Sequence, residues 1–481
     1  MKLLAPSLLA LALAAAFPAA AQSNAELLKE LKALKDRVAE LEKKLQAAAG
    51  AAPAAAAPTQ PQWGMTPEQV REFNRVAVKA EALQDNFTDQ GYKGLTVRGQ
   101  IDPTFIYNHA NRNPSFVLLN GEGARYTYDN SYFGMAVLDL EKETETGVKW
   151  RLTLAPDRGT GSLVNNNSIV HEASVSIPLT DLQTRLWVGQ IPDWTGYELT
   201  LPAGNKLITH NLLFDTMAPT AYTGAVLDIT RGKWWSRIGV AQTNSTRYAS
   251  GNSTPTLIYR VDYSKGEFDG FGFTGLHGKM ANFAADGSWF STDPDSGETT
   301  ENFFDSAGRT TKVDLLELDG YFVRGDVSLF GQVSWGRQKK AAIFNSDGVL
   351  RDAEWWGLSG TFGYMFTPRL EGIVRADYVH NRKNGGGLLG YSFDDSVNGI
   401  GRGLAADGSF AKGEDVGANR YALSLGLNYL FDETTRFKVE YRYDSASQPV
   451  FLYARNGTYR KNNQLFGVFA ARFVEGRRQA L

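Results

Sequence analysis

Charged side chains recur at every second position in several segments of this 481-residue chain. In the run from Arg436 to Asp444, bases and acids alternate with Phe437, Val439 and Tyr441. A β-strand has a side-chain period of two, so this pattern places the charges on one face and the apolar residues on the other. Charges arranged in this way on the wall of a pore attract or repel ions by electrostatics alone, without covalent chemistry.

Residue patterns that support catalysis or metal binding do not occur in the sequence. We find no nucleophile elbow and no metal-spaced histidine cluster, and the five histidines are scattered along the chain. The chain has no cysteine, which excludes disulfides. Its net charge is -2, from 50 basic and 52 acidic residues, and gives no reason to expect a nucleic-acid partner. We therefore expect no enzymatic activity, no cofactor and no metal site.

Sixteen candidate strands follow one another from Lys93 onward, and the gaps between them alternate between long and short. Long gaps include 108–130, 192–219 and 382–417, whereas short ones include Arg231-Gly232 and Leu179-Thr180-Asp181. Long extracellular loops, short periplasmic turns and an even strand number are typical of outer-membrane barrels. The pattern predicts an all-β, antiparallel transmembrane barrel over residues 93–473. Its strands are expected near 93–107, 131–142, 147–155, 169–178, 182–191, 220–230, 233–242, 257–265, 270–280, 311–323, 326–339, 354–366, 369–381, 418–430, 435–445 and 462–473.

The charged face is predicted to point inward, because a water-filled lumen solvates charges that a closed protein core could not hold. The predicted pore-lining residues are Arg98, Arg151, Arg185, Arg237, Arg260, Arg369, Arg375, Arg420, Arg436, Lys438, Arg442, Glu371, Asp377 and Glu440. Aromatic residues near strand ends are expected to face lipid in two interfacial girdles. These are Trp150, Trp187, Trp234, Trp235, Trp335, Trp355, Trp356, Tyr364, Phe366, Tyr429 and Phe431.

The segment before the barrel begins with a signal peptide over residues 1–21, in which Lys2 precedes an apolar stretch and a small-residue cleavage site. Residues 25–46 carry a leucine seam with alternating spacings of four and three, which predicts a coiled coil and self-association. The alternative is a single helix lying on the barrel. The seam residues are Leu27, Leu31, Leu34, Val38, Leu41 and Leu45.

An Ala/Pro-rich linker over residues 47–65 separates this seam from a second predicted helix within 66–90. Thr66, Pro67 and Gln69 form an N-terminal capping pattern, and the apolar stripe ends near Leu83. We expect this periplasmic helix to pack on the barrel rim; plugging the pore is the alternative.

The layout resembles that of trimeric sixteen-stranded porins, especially the dicarboxylate-channel and phosphate-selective type with an N-terminal coiled coil. It is also similar to a family of uncharacterised putative porins with the same order of signal, leucine seam, Ala/Pro linker and barrel. The segments that carry the resemblance are Lys93 to Pro103, at the first strand, and Leu186 to Pro192, before a long loop. The resemblance implies a homotrimer in the outer membrane, with the coiled coil in the periplasm. Porins usually end at an aromatic residue, but here Phe473 precedes the extension 474–481, which either hangs in the periplasm or places the last strand in doubt.

The resemblance also implies a constriction, formed by the inward-folded loop from Pro192 to Pro219. An ordinary surface loop is the alternative. The expected function is passive diffusion of small polar solutes, with a preference for anions because inward bases outnumber acids. A receptor, an adhesin or a structural barrel with little conductance is the alternative, while the charged inner face disfavours transport of apolar ligands. The candidate constriction residues are Trp194, Tyr197, Glu198, Lys206, His210 and Asp215.

Overall fold

The computed structural model describes the second predicted helix and most of the predicted barrel. The predicted signal peptide, coiled coil and Ala/Pro linker lie outside the described residues. No helix among the described residues is long and apolar enough to cross a membrane. The described ranges are 66–89, 93–110, 112–117, 134–155, 169–219, 221–243, 255–264, 268–281, 291–292, 299–300, 310–339, 352–382, 418–449, 451–453 and 455–474.

Helix α1 spans Pro67–Asp89 and belongs to a unit separate from the barrel. Thr66 N donates a hydrogen bond to Gln69 Oε1 at 2.8 Å, and Gln69 N donates to Thr66 Oγ1 at 3.3 Å. This reciprocal capping satisfies two backbone N–H groups at the start of the helix, as the sequence predicted. The helix continues six residues beyond the predicted end at Leu83, and Phe73 in its apolar stripe is exposed.

The second unit contains one antiparallel sheet that closes on itself, because the last strand, β22, pairs with the first two strands. Its strands are β1 (Leu95–Ile101), β2 (Thr104–Asn108), β3 (Asn113–Val117), β4 (Ala136–Glu143), β5 (Lys149–Leu154), β6 (Val170–Asp181), β7 (Thr184–Pro192), β8 (Ala221–Arg231), β9 (Trp234–Thr243), β10 (Thr256–Ser264), β11 (Asp269–Ala281), β14 (Thr310–Arg324), β15 (Val327–Gln338), β16 (Ala353–Thr367), β17 (Leu370–Arg382), β18 (Arg420–Leu430), β19 (Thr435–Ala446) and β22 (Asn462–Val474). Two separate hairpins are β12 (Ser291–Thr292) with β13 (Thr299–Thr300), and β20 (Phe451–Tyr453) with β21 (Thr458–Arg460).

The wall has sixteen strands, as predicted, because two of them are interrupted. Strands β1 and β2 form one wall strand, broken at Asp102 and Pro103, and both pair with β22. Strands β4 and β3 pair with β1 and β2 respectively, and so form the second wall strand. Pro103 has no N–H to give to the ladder, while Asp102 N donates to Met135 O across the break at 2.9 Å.

The outer face of the wall is apolar, and on several strands its exposed side chains alternate with buried inward ones. In β18 and β19 every second residue is exposed, including Leu423, Leu425, Val439 and Tyr441. Apolar side chains left in contact with solvent over a whole wall need a cover, and a lipid bilayer supplies one.

The prediction of the aromatic girdles is wrong for Trp187, Trp235 and Trp355, which point inward. Trp355 is fully buried in the barrel interior, whereas its neighbour Trp356 is exposed on the outside. A period of two forbids adjacent tryptophans from facing the same side, so the sequence pairs 234–235 and 355–356 had to divide. The remaining aromatic residues are exposed: Trp150, Trp234, Trp335, Trp356, Tyr364, Phe366, Tyr429 and Phe431.

Two predicted boundaries differ in the structure. Strand β6 continues through the expected turn 179–181, and the turn lies at Leu182 and Gln183, beyond a register irregularity after Pro178. The last strand is present and extends to Val474, one residue into the predicted extension, because Val474 pairs with Gly99 of β1. Residues 475–481 lie outside the described residues.

Candidate functional site

The inner wall has two chemically different halves. The half next to the short turns is charged and partly open to solvent. There Arg98 Nη1 lies 3.2 Å from Asp139 Oδ2 and 2.9 Å from Glu141 Oε2, and the Arg151 guanidinium also contacts Asp139 at 2.8 Å. The side chains of Arg98 and Arg151 are 36% and 38% exposed, so solutes in this half of the lumen can reach them.

The loop between β7 and β8, residues 193–219, folds into the barrel. It contains a 3-10 turn at Pro202–Gly204 and a short helix, α2, at Leu212–Met217. Asn211 caps α2, since its side chain accepts a hydrogen bond from Phe214 N at 2.8 Å. All six residues of α2 are buried, which excludes an ordinary surface loop for this segment.

The crest of the loop, Thr209 and His210, is held by buried charges of β17 and β19. Glu440 Oε2 accepts hydrogen bonds from the backbone N–H groups of Ile208 and Thr209 at 2.8 Å each. Arg375 donates to Thr209 O at 2.7 Å, and both Arg375 and Arg442 donate to His210 O at 2.9 Å. We call Thr209, His210, Arg375, Glu440 and Arg442 the latch.

Further polar contacts fix the part of the loop that precedes Thr209 and His210. Unlike the contacts of the latch, these contacts are mostly single hydrogen bonds to separate strands of the wall. Lys206 Nζ donates to Glu371 Oε1 at 2.5 Å, Lys438 Nζ donates to Asn205 O at 2.5 Å, Tyr197 OH lies 2.7 Å from Ser359 Oγ, Arg260 Nη1 donates to Trp194 O at 2.7 Å, and Arg375 Nη1 donates to Glu198 Oε1 at 2.9 Å.

Apolar contacts seat the same loop against the half of the wall next to the long loops. Leu212, Leu213 and Met217 of α2 pack in one buried cluster with inward residues of the wall, including Trp355 and Val379. Phe214 packs in a second cluster with Met135, Val137 and Ala155, near the start of the wall. Ile208 packs in a third, which includes Leu465 and Phe469 of β22. The loop therefore contacts the wall on several sides of the lumen.

The predicted pore-lining residues fall into three groups by position and exposure. Arg98, Arg151, Arg185, Arg237 and Arg436 lie on the inner wall with part of their side chains exposed. Arg369 lies in the exposed turn between β16 and β17, outside the wall strands. The others point inward but are buried beside or beneath the loop: Arg260, Arg375, Arg420, Lys438, Arg442, Glu371, Asp377 and Glu440.

Each predicted constriction residue lies inside the barrel. Glu198 and Lys206 each pair with a wall charge, while Trp194 packs against Tyr222 with tilted rings whose centroids are 4.5 Å apart. His210 stacks on Phe214, and Asp215 Oδ2 lies 3.9 Å from Arg442 Nη1.

Asp193, at the start of the loop, was not predicted as a site residue. Burial raises the pKa of its carboxyl to about 6, although hydrogen bonds from Thr195 act in the opposite direction. The carboxyl therefore changes charge at mildly acidic pH, at the point where the loop leaves β7.

Sequence reasoning also missed the uncharged polar residues that hold the loop, because nothing local distinguishes them. Thr209 donates its hydroxyl to Glu440 Oε1 at 2.7 Å, and Asn205 accepts from Leu199 N at 2.7 Å. For Gln332, Ser359 and Thr361 on the wall, the only signal in the sequence was that these positions face inward.

Among the described residues no group of histidine, aspartate or glutamate side chains is arranged to hold a metal ion.

The sequence profile of one protein family, described as protein of unknown function DUF3138, matches residues 1–474. The chain belongs to this family. No curated protein matches the chain.

Several solved barrels of the bacterial outer membrane are similar to this DUF3138 chain. The anion-selective porin from Comamonas acidovorans is 11% identical, with a TM-score of 0.48, over 79% of this chain and 99% of its own. In-vitro folded OmpT of Vibrio cholerae is 11% identical, with a TM-score of 0.49, over 79% and 97%. Pseudomonas putida OprB is 8% identical, with a TM-score of 0.47, over 82% and 97%. The barrel assignment itself rests on the strand pairing described above.

Proposed function

We propose that this DUF3138 protein is an outer-membrane channel for small solutes. The observation that carries the proposal is a closed sixteen-strand wall, apolar outside and charged inside, with a loop folded into its interior. A bilayer covers the apolar face, and closure leaves no unpaired sheet edge in the lipid. Sixteen strands also enclose more space than wall side chains fill.

Conductance of the purified protein in planar bilayers tests this function. The expected result is stepwise current in potassium chloride, together with liposome swelling that depends on the size of neutral and anionic solutes. Protein that is inserted and folded but passes neither ions nor solutes would contradict the proposal.

A preference for small polar anions is the finer form of the proposal. On the described strands, the inward charges that keep some solvent exposure include more bases than acids, which favours anions. The reversal potential in a salt gradient tests this preference. The bases are Arg98, Lys149, Arg151, Arg185, Arg237 and Arg436, and the acids are Glu141, Glu143, Asp228 and Asp262.

We also propose that the protein is a homotrimer, held by the leucine seam of residues 25–46 and by the barrel walls. The predicted signal peptide supports export, and the seam would then lie in the periplasm. The extracellular side would be that of the long loops.

One observation favours a second candidate, a structural or receptor barrel with little conductance. The inward loop and the wall residues around it are buried against each other, including Ile208, Leu213 and Trp355. A folded barrel that never conducts, alone or with the solutes tested, would support this candidate.

A further inference from the structure

Part of the inner wall, on the strands from β8 to β18, is apolar, and buried inward polar residues such as Asn381 and Arg420 lie beyond it towards the long loops. Buried, inward-facing apolar residues occur on eight of the nine wall strands from β8 to β18, and none is more than 5% exposed. On the ninth strand, β15, the Trp355 ring covers Gly336: a Cβ added there would lie 2.3 Å from Trp355 Cζ2. We call this surface the apolar socket. Its residues are Tyr222, Val226, Ala241, Ile258, Leu276, Val313, Leu315, Ala353, Trp355, Val379 and Ala422.

An aqueous lumen gives no reason for such a wall. Apolar side chains that face water lose the burial that stabilises them elsewhere in the fold. The contrast lies within single strands, since β17 carries Glu371, Arg375 and Asp377 towards the short turns and Val379 towards the long loops. The socket is therefore stable only when an apolar group fills it.

In the present structure, helix α2 supplies the apolar group that fills the socket. Leu213 Cδ1 and Met217 Cε each come within 3.0 Å of the Cβ position that a side chain at Gly357 would occupy. The latch ends at His210, and the side chains that seat α2 in the socket, Leu212, Leu213 and Met217, are all apolar. One polar contact, between Asp215 Oδ2 and Arg442 Nη1 at 3.9 Å, also joins α2 to the latch. The apolar contacts can be replaced by those of another apolar body while the hydrogen bonds at Thr209 and His210 remain.

A polar feature of the socket also points to a ligand. The indole of Trp355 is fully buried, and its Nε1–H donates to no hydrogen-bond acceptor among the described residues. Buried indole N–H groups are usually paired, so this donor is available to an oxygen carried by an incoming molecule.

We infer that the apolar socket is a binding site for the apolar part of an amphipathic solute, and that α2 fills this site when the solute is absent. The inference rests on the proposed function and narrows its substrate class from polar solutes in general to solutes with an apolar chain or ring. The charged half of the lumen would face the head group of such a molecule.

A series of linear alkanesulfonates, from ethane- to octanesulfonate and below their micelle concentrations, tests this inference. All members carry the same fixed charge, so only the apolar length varies. Binding is read from the unfolding temperature of the full-length protein and, independently, from the change in bilayer current. We expect affinity to rise about fourfold per methylene, which corresponds to about 0.8 kcal/mol.

Two isosteric variants on the same strand provide the comparison. Val379→Thr places a hydroxyl in the socket and should reduce the gain per methylene, whereas Val374→Thr lies on the outer face and should leave it unchanged. If Val379→Thr does not fold, Ala422→Leu fills part of the socket and should weaken binding of the longest sulfonates most.

The possible outcomes separate the two proposals. Current without any dependence on chain length overturns the socket and leaves the channel. Chain-length-dependent binding that Val379→Thr weakens, but without current, supports the socket and overturns the channel. Equal slopes in the wild type and both valine variants overturn the socket, because the sulfonates would then be partitioning into detergent or lipid.

Discussion

Glu440 on β19 binds Thr209 of the inward loop through two hydrogen bonds. Its Oε2 accepts from Thr209 N at 2.8 Å and its Oε1 accepts from Thr209 Oγ1 at 2.7 Å. These residues are separated by 231 positions in the sequence, and both are buried. The contact joins the barrel wall to the loop that fills its interior, so it is a direct point at which to perturb the lumen.

Glu440→Gln should loosen the latch. The amide keeps the shape but cannot accept with both ends, and it leaves Arg375, whose Nη2 lies 3.7 Å from Glu440 Oε1, with one fewer acidic neighbour. Hydrogen bonds to charged groups contribute about 1.5–3 kcal/mol each, so hydrogen exchange at Ile208 N and Thr209 N should accelerate at least about tenfold. Glu141→Gln, in the solvent-exposed half of the lumen, is the control. Unchanged exchange in Glu440→Gln would show that apolar contacts alone hold the crest.

Gly357→Ala should unseat α2. The new Cβ would lie 2.9 Å from Tyr378 O and 3.0 Å from both Leu213 Cδ1 and Met217 Cε. Overpacking of this kind costs about 1–3 kcal/mol, measured as a lower unfolding temperature and easier proteolysis of the loop. Gly360→Ala lies on the same strand with nothing within 4 Å of its Cβ, and should be neutral. If the two variants have the same unfolding temperature and the same rate of loop proteolysis, the wall strand moves to accommodate the new Cβ and α2 stays in place.

The loop should be held more firmly at mildly acidic pH. The Asp193 carboxyl has a pKa of about 6 in the folded protein against an ordinary value of 3.8, so the folded state binds the proton more tightly. Its contribution to stability is therefore fully present below about pH 4 and is lost as pH rises through about 6. Asp193→Asn should remove this part of the pH dependence, as measured by loop proteolysis between pH 4 and 8. A wild-type profile that persists in Asp193→Asn would assign the titration to another group.

Neutralising Arg98 and Lys149 together should shift selectivity towards cations. Both side chains are partly exposed on the inner wall, and their loss leaves Glu141 and Glu143 without those partners. We expect the reversal potential in a tenfold salt gradient to move in the direction of cation preference. Lys142→Gln, on the outward register of β4, should not move it. No shift in the double variant would place the selective charges elsewhere.

Charges in the leucine seam should dissociate the oligomer. In the proposed coiled coil, Leu34→Asp with Leu41→Asp would place carboxylates in the apolar core, which is unfavourable. Cross-linking and sedimentation in detergent should then show monomers, while Lys43→Asp, off the seam, should remain associated. A trimer that survives the double variant would be held by the barrel walls alone.

The sixteen strands, their inward and outward faces and the capped second helix were all present in the sequence. Each of these features depends on local sequence spacing: a strand on a period of two residues, and a helix cap on residues three positions apart. Such spacings can be read without knowledge of distant parts of the chain. The adjacent tryptophans at 355 and 356 show the limit of that reasoning, since composition marked both as interfacial but geometry allows only one to face out.

The tertiary structure alone decided what the inward residues contact. Alternation marked Arg375, Arg442 and Glu440 as inward, yet they bind a loop more than 160 positions away instead of lining open water. The same holds for Val379 and Leu315, which a local pattern could not assign to a common surface with α2. Closure of the barrel brings these distant positions together, and the chemistry of the lumen follows from that closure.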